Sequence, residues 1–290
     1  MIFEETFTNL NSSIWQNVIQ IPSDSYDSDF VTFMGRRENI YVSAGNLHIV
    51  PSLLTDIPGY RSVQRGQMNL GKDCTPTSDF EKECYRQPNG YRILSPVVSG
   101  KIRTKDSFSF KYGRVVVRAK MPKGDWIFPL ITLEPTAFNY GATITLLDKL
   151  ELLILEEMKN LSDQRDFLKS KRNNEHYGNQ FYNFELLWTP KSLRFYVDDV
   201  QYGEIKPNNL ANTNIKHASI WSTGEELAPF DKEFHLSLGL SVGGVSDFPD
   251  SSLNGVPRRR KPWANDDPKA ELNFWKKTSE WLQTWDGVNS

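Results

Sequence analysis

Residues 181–203 read FYNFELLWTPKSLRFYVDDVQYG. Side chains of an extended chain point alternately to two faces, so a half-buried strand carries apolar residues at every second position. Here aromatic and β-branched residues alternate in short runs, and turn formers interrupt them. The stretch reads as two strands broken at Thr189 and Pro190, with a further turn at Asp198 and Asp199. The same period extends outward. In YGRVVVRAKMPKG, residues 112–124, Val115, Val117 and Ala119 face one way, while Arg114, Val116, Arg118 and Lys120 face the other. EFHLSLGLSVGG, residues 233–244, is another alternating strand, ended by a glycine pair. Clusters such as QPNG and KPNN punctuate the runs, as turns do in a sheet protein. The class is therefore all-β. Only the tail differs: DDPKAELNFWKKTSEWLQTW places Asp267 as N-cap and Pro268 at the first helical position. Phe274, Thr278, Trp281 and Leu282 then follow at helical spacing, which predicts one short C-terminal helix.

The 290 residues, 38% of them hydrophobic, can bury a large core, and residues 1–290 are expected to form a single domain. A net charge of -2 supplies no field to hold a polyanion, so nucleic acid is not an expected partner. The basic run Arg258, Arg259, Arg260 and Lys261 sits among Asn254, Gly255 and Pro257 and reads as a solvated loop. No apolar run approaches the roughly 18 residues of a membrane span. MIFEETF lacks the basic start and apolar middle of a signal peptide, which leaves an intracellular protein or one whose signal has been removed. The only cysteines, Cys74 and Cys84, flank the polar loop TPTSDFEKE, with no neighbouring histidine or cysteine cluster to suggest zinc. A disulfide closing the loop is expected; two free thiols in a cytosolic protein are the alternative. Asn11 and Asn160 match the N-glycosylation pattern and, with the cysteine pair, point to a secreted, extracellular glycoprotein.

No glycine-rich phosphate loop, His-x-x-x-His pair or nucleophile elbow is present, and His48, His176, His217 and His235 are dispersed. No metal or other cofactor is expected. Carboxylates and eight tryptophans remain, the equipment of a protein that handles sugars. Indole faces stack on pyranose rings, and carboxylates bind hydroxyls or cleave glycosidic bonds.

The order of several segments resembles the laminarinase-like branch of glycoside hydrolase family 16, and within it the arthropod β-1,3-glucan recognition proteins, also called Gram-negative bacteria-binding proteins. These segments are MIFEETF followed by Trp15, GNLHIVPSLLT, the Cys74 to Cys84 loop, FSFKYGRVVVRAKMPKGDW, NFELLWTP with RFYVDD, APFDKEFHLSLGLSVGG, and KPW with the tail FWKKTSEWLQTW. The resemblance implies a concanavalin-like jelly-roll sandwich of two antiparallel sheets, one curved around a sugar cleft. Relatives usually carry a small glucan-binding module ahead of this domain. None precedes Met1, so an excised domain or a truncated form is expected.

Active members of the family cross the cleft floor with Glu-x-Asp-x-x-Glu. Within LDKLELLILEEMKN, residues 147–160, that pattern falls on Glu151 as nucleophile and Glu156 as acid/base, with Leu153 where the helper aspartate belongs. Positions i and i+5 of a regular strand face opposite sides, so both glutamates reach one cleft only through a β-bulge, which the family has. Leu153 can neither orient the nucleophile nor hold its charge, and an apolar neighbour raises carboxyl pKa values. Other departures agree: Phe128 and Thr132 stand for tryptophans, Val116 for Glu, Tyr182 for His and Gly239 for Asn. The segment between Asn160 and Phe181 is short and lacks the family's His-Trp-Gly stretch. A competing local reading remains, because Leu146, Leu147, Leu150, Leu153, Ile154, Met158 and Leu161 fall close to helical spacing.

Three functions follow. The first is a non-catalytic pattern-recognition protein of innate immunity, binding microbial β-1,3-glucan or a related cell-wall glycan and passing a signal to partner immune proteins. The second is a secreted retaining endo-β-1,3-glucanase with weak residual activity. The third is a fold-only interaction domain with a closed cleft. A surviving cleft is expected to be lined by Trp126 and Phe128, with Arg114 and Arg118 on the outward face of their strand and Trp221 near one end.

Overall fold

The structure is a computed structural model that describes residues 2–22, 29–77, 79–137, 150–151, 176–207, 222–254 and 257–285. The N-terminal part supplies β1 (Gln16–Asn17), β2 (Val31–Phe33), β3 (Ile40–Ser43), β4 (Asn46–Ile49), β5 (Ser52–Leu53), β6 (Met68–Asn69), helix α1 (Phe80–Cys84), β7 (Tyr85–Arg86), β8 (Val97–Ser99) and β9 (Lys101–Arg103). The longer strands follow: β10 (Gly113–Ala119), β11 (Ile127–Pro135), β12 (Leu150–Glu151), β13 (Tyr182–Thr189), β14 (Ser192–Val197), β15 (Val200–Ile205) and β16 (Phe234–Val242). The chain closes with β17 (Leu253–Asn254), β18 (Arg259–Arg260) and helices α2 (Ala270–Trp275) and α3 (Thr278–Trp281). Strands dominate and helices are few and short, as the alternation requires. Among the described residues the strands form a five-stranded sheet, β1-β9-β16-β11-β12, a four-stranded sheet, β10-β13-β14-β15, and smaller sheets.

Two compact units emerge, one of residues 1–103, 123–130 and 238–290, the other of residues 104–122 and 131–237. In the second, β13 pairs antiparallel with β10 and β14, and β14 with β15. The breaks fall where the sequence places them. Thr189 Oγ1 accepts the Lys191 and Ser192 amides across one turn. At the other, Asp198 and Asp199 both take positive φ, 45° and 63°. Two left-handed residues twist a two-residue loop in the sense that the strands need. Burial alternates along β10: Arg114, Val116 and Arg118 are exposed, while Val115, Val117 and Ala119 are covered. Trp188 anchors this core, its indole donating to the Phe230 carbonyl at 3.0 Å and its ring lying edge-on to Phe234 at 5.4 Å.

The first unit has its own core of Ile21, Leu54, Ile57, Val63, Met68, Ile93, Leu94, Val98 and Leu272. One pairing departs from the expected antiparallel sheets: β2 runs parallel to β8, Val31 opposite Val97. Cys74 and Cys84 form the expected disulfide, with Cα atoms 5.8 Å apart. Buried Glu83 secures the same loop by accepting from the Thr77 and Asp79 amides and from Gln20 Nε2.

Two expectations need correction. The tail is not one helix capped by Asp267. Lys269 holds the N-cap position of α2, and Asp267 instead accepts from the Lys269 amide and from Asn273 Nδ2. The Thr278 hydroxyl then bonds the Trp275 carbonyl, competing with the ladder, and the tail continues as α3 and a 3-10 turn. The basic run is only in part a solvated loop. Arg258, Arg259 and Arg260 are exposed as expected, but Arg259 and Arg260 form the β18 arm of a hairpin with β17, and the Lys261 side chain is fully buried. Among the described residues no helix is long and apolar enough to cross a membrane.

Candidate functional site

Strand β12 is the place to begin, because Leu150 and Glu151 are extended and pair antiparallel with β11, Leu150 opposite Leu133 and Glu151 opposite Thr132. At these two residues the strand reading replaces the helical one. Leu153, Glu156, Asn160 and Trp221 lie outside the described residues.

The ladder partner of Glu151 belongs to a polar row that crosses to β16. Thr132, wholly buried, donates to Glu134 Oε1 at 3.3 Å. The Thr136 amide bonds the Glu233 carbonyl, which brings β16 alongside, and His235 Nε2 lies 3.5 Å from Glu134 Oε2. His235 is 2% exposed and Ser237 fully buried, yet among the described residues neither ring nitrogen nor the serine Oγ makes a hydrogen bond, the Glu134 contact being an ion-pair approach only. A buried polar group left unpaired costs about 1–3 kcal/mol, so such a row is seldom kept for packing alone. Alternation alone marks FHLSLGLSV as a strand and nothing more. The available signal was that His235, Ser237 and Ser241 occupy every second or fourth position of an otherwise apolar run.

The expected cleft residues are placed as follows. Trp126 and Phe128 are each 3% exposed. Trp126 stands edge-on to Phe248 at 5.4 Å and to Trp263 at 5.1 Å, and Phe128 edge-on to Phe248 at 5.7 Å. Both rings therefore face other rings, not solvent. Arg114 grips Glu185 with two bonds of 2.7 Å, and that carboxylate raises the guanidinium pKa further. Arg118 lies over the Phe181 ring at 4.6 Å. Val116, 48% exposed, sits between the two arginines on the same face, with Glu185 as its ladder partner. Tyr182 packs on Tyr177 at 5.0 Å. At Gly239 a Cβ would meet Lys101 Cβ at 3.1 Å and the Gly100 carbonyl at 3.2 Å, so an asparagine there would need Lys101 to move. No group of three or more metal-ligating side chains occurs among the described residues.

No family model matches the chain. It is 36% identical over 311 residues to Gram-negative bacteria-binding protein 1 of Drosophila melanogaster, and 35% identical over 307 residues to β-1,3-glucan-binding protein 1 of Manduca sexta. Each alignment takes in 98% of this chain but 61% of the relative, so the chain spans about three-fifths of their length. A β-1,3-glucan-binding protein of Penaeus monodon, 31% identical over 316 residues, is covered to 84% of its length by 98% of this chain. Among solved structures, the laminarinase from Rhodothermus marinus superposes with a TM-score of 0.54 at 19% identity, over 84% of this chain and 86% of that one. The laminarinase catalytic domain from Thermotoga maritima gives 0.54 at 18% identity, over 86% and 90%. At these identities the structures establish a shared fold and nothing more.

Proposed function

Because this chain belongs to the family of β-1,3-glucan-binding and Gram-negative bacteria-binding proteins, we propose that it is a non-catalytic recognition domain of innate immunity that binds β-1,3-glucan or a related microbial cell-wall glycan. In this proposal the strands form the family's two-sheet jelly roll. The protein is secreted, with glycans at Asn11 and Asn160, and bound glycan is signalled onward through partner immune proteins. Asn11 is exposed, as an acceptor site requires.

The observation that carries the proposal is the ladder position opposite Glu151. A buried threonine, Thr132, stands where active relatives are expected to place a tryptophan. A strand in the nucleophile's register is retained, but without that ring. Leu153 in place of aspartate removes the partner that would orient Glu151, and mispositioning of such groups commonly costs about 10² to 10⁴ in rate. Glu151 and Glu156 are thus the remains of a catalytic pair. Arg114 and Arg118 on the outward face of β10, with Trp126, Phe128 and Trp221, are the glycan-contacting candidates. For the first four, the ring packing and ion pairing described above would have to loosen when sugar binds.

The test combines laminarin titration by calorimetry with reducing-end release by the wild type, Glu151→Gln and Leu153→Asp. Binding heat with no release above the Glu151→Gln blank is expected, and Leu153→Asp should restore little because the substrate is still poorly placed. The retained Glu151 strand favours one second reading, a weak retaining endo-β-1,3-glucanase. Wild-type turnover well above the blank would establish that reading and refute the first.

A further inference from the structure

Within the first unit, residues from 10–17 and 35–41 line a half-open cavity of about 390 Å³. That volume lies in the range of about 300–1,000 Å³ typical of small-molecule sites. Trp15 forms an apolar part of the lining. It is 3% exposed and fixed by its indole bond to Glu5 at 3.0 Å and by the Phe7 ring at 5.7 Å. Tyr41 lines the cavity while 39% exposed, and the His48 imidazole covers one face of its ring, 4.9 Å away and 3° from parallel. The two are ladder partners on the β3–β4 hairpin, so the tyrosine plane is held by its neighbour and by the strand register.

Polar groups complete the lining. Arg37, Asn17 and the Ser12 hydroxyl contribute, and neither the Arg37 guanidinium nor the Asn17 amide has a partner among the described residues. Gly35 has ordinary backbone angles, so its glycine answers to space. A Cβ there would stand 3.0 Å from Cβ, Cγ and Nδ2 of Asn17. The missing side chain is what lets the amide lie where it does. Among the described residues no carboxylate lines the cavity, which argues against a cationic ligand.

A fixed aromatic plane beside planar amide and guanidinium donors suits a neutral, hydroxyl-rich ring: the ring's C–H face lies on the aromatic, and vicinal hydroxyls meet the fork and the amide. We infer that this cavity is a glycan subsite, built on Tyr41, Arg37 and Asn17 and separate from the strand bearing Glu151, that takes a glucose unit of a neutral β-glucan. The assignment presupposes the glycan-binding role proposed above. Gly35 acts in it as a positioning residue, through Asn17.

Calorimetry of the full chain with laminarihexaose tests it. Tyr41→Ala, Arg37→Ala and Gly35→Ala should each weaken binding by about tenfold or more, the effect of losing one good contact. Tyr41 and Arg37 are exposed, so their two variants should keep the wild-type melting temperature. Wild-type affinity in both would overturn the subsite and leave glycan recognition standing. A wild type that binds no laminarihexaose would overturn both.

Discussion

Lys261 shows how a single side chain can contradict its neighbours. Its Nζ lies 2.7 Å from Asp250 Oδ1 and 2.7 Å from the Phe248 carbonyl, also bonds Asn265 Oδ1, and sits 4.9 Å from the centre of the Trp263 ring. Burial holds its pKa below the usual lysine value, an effect that the Asp250 carboxylate only partly offsets. Lys261→Met would leave Asn265 Oδ1 without its donor, while the Phe248 carbonyl would keep only the bond from Asn265 Nδ2. A loss of about 1–3 kcal/mol is expected, measured as a lower urea midpoint at unchanged slope. Four consecutive basic residues carry no sign of which one turns inward, which is why the sequence did not distinguish Lys261. The same limit applies at the candidate site. Arg114, Val116 and Arg118 were legible as one outward face because alternation alone decides it. The Glu134–His235 contact was not, since it depends on which strand lies beside which.

Short elements obey the local rules closely where the chain is extended. The Asp198-Asp199 turn is one case: Asp198 also accepts the Asn183 amide at 2.8 Å, whereas Asp199 is 89% exposed and only 3.6 Å from Arg114 at its nearest. Asp199→Gly should therefore stabilise the hairpin by about 0.5 kcal/mol, since glycine adopts positive φ without a Cβ penalty. Melting temperature would report it, and a decrease would show that the Asp199–Arg114 contact matters more. The Cys74–Cys84 loop is a second case. Replacing both cysteines by serine should cost roughly 2.5–3 kcal/mol by loop entropy for a separation of 10 residues. Retention of full stability after reduction would mean that Glu83 alone holds the loop. The tail was less legible. Helical spacing marked Phe274 and Trp281 correctly as buried neighbours, now stacked at 4.4 Å, but not the break between them, where a threonine hydroxyl competes for a carbonyl.

For the molecule as a whole, the all-β class and the strands within residues 112–124, 181–203 and 233–244 could be read from period and punctuation, while β11 and the division into two units could not. That division depends on long-range contacts, which period and punctuation do not show. Each unit has a separate core to test. Leu54, wholly buried, should cost about 2–5 kcal/mol when cut to alanine, the range for a cavity that cannot collapse. Hydrogen exchange should show the loss first in the amides around Ile21, Met68 and Leu94. The parallel β2–β8 pair has a consequence in time. A hairpin can close as soon as its second arm is made, but Val31, Thr32 and Phe33 must wait for Val97 to Ser99, with β3 to β7 synthesised in between. The entropy of closing that loop is spent before any contact repays it, which places this pairing late in folding. Until then an apolar strand stands without its partner, and a nascent chain stalled before residue 97 would be the form most prone to aggregate.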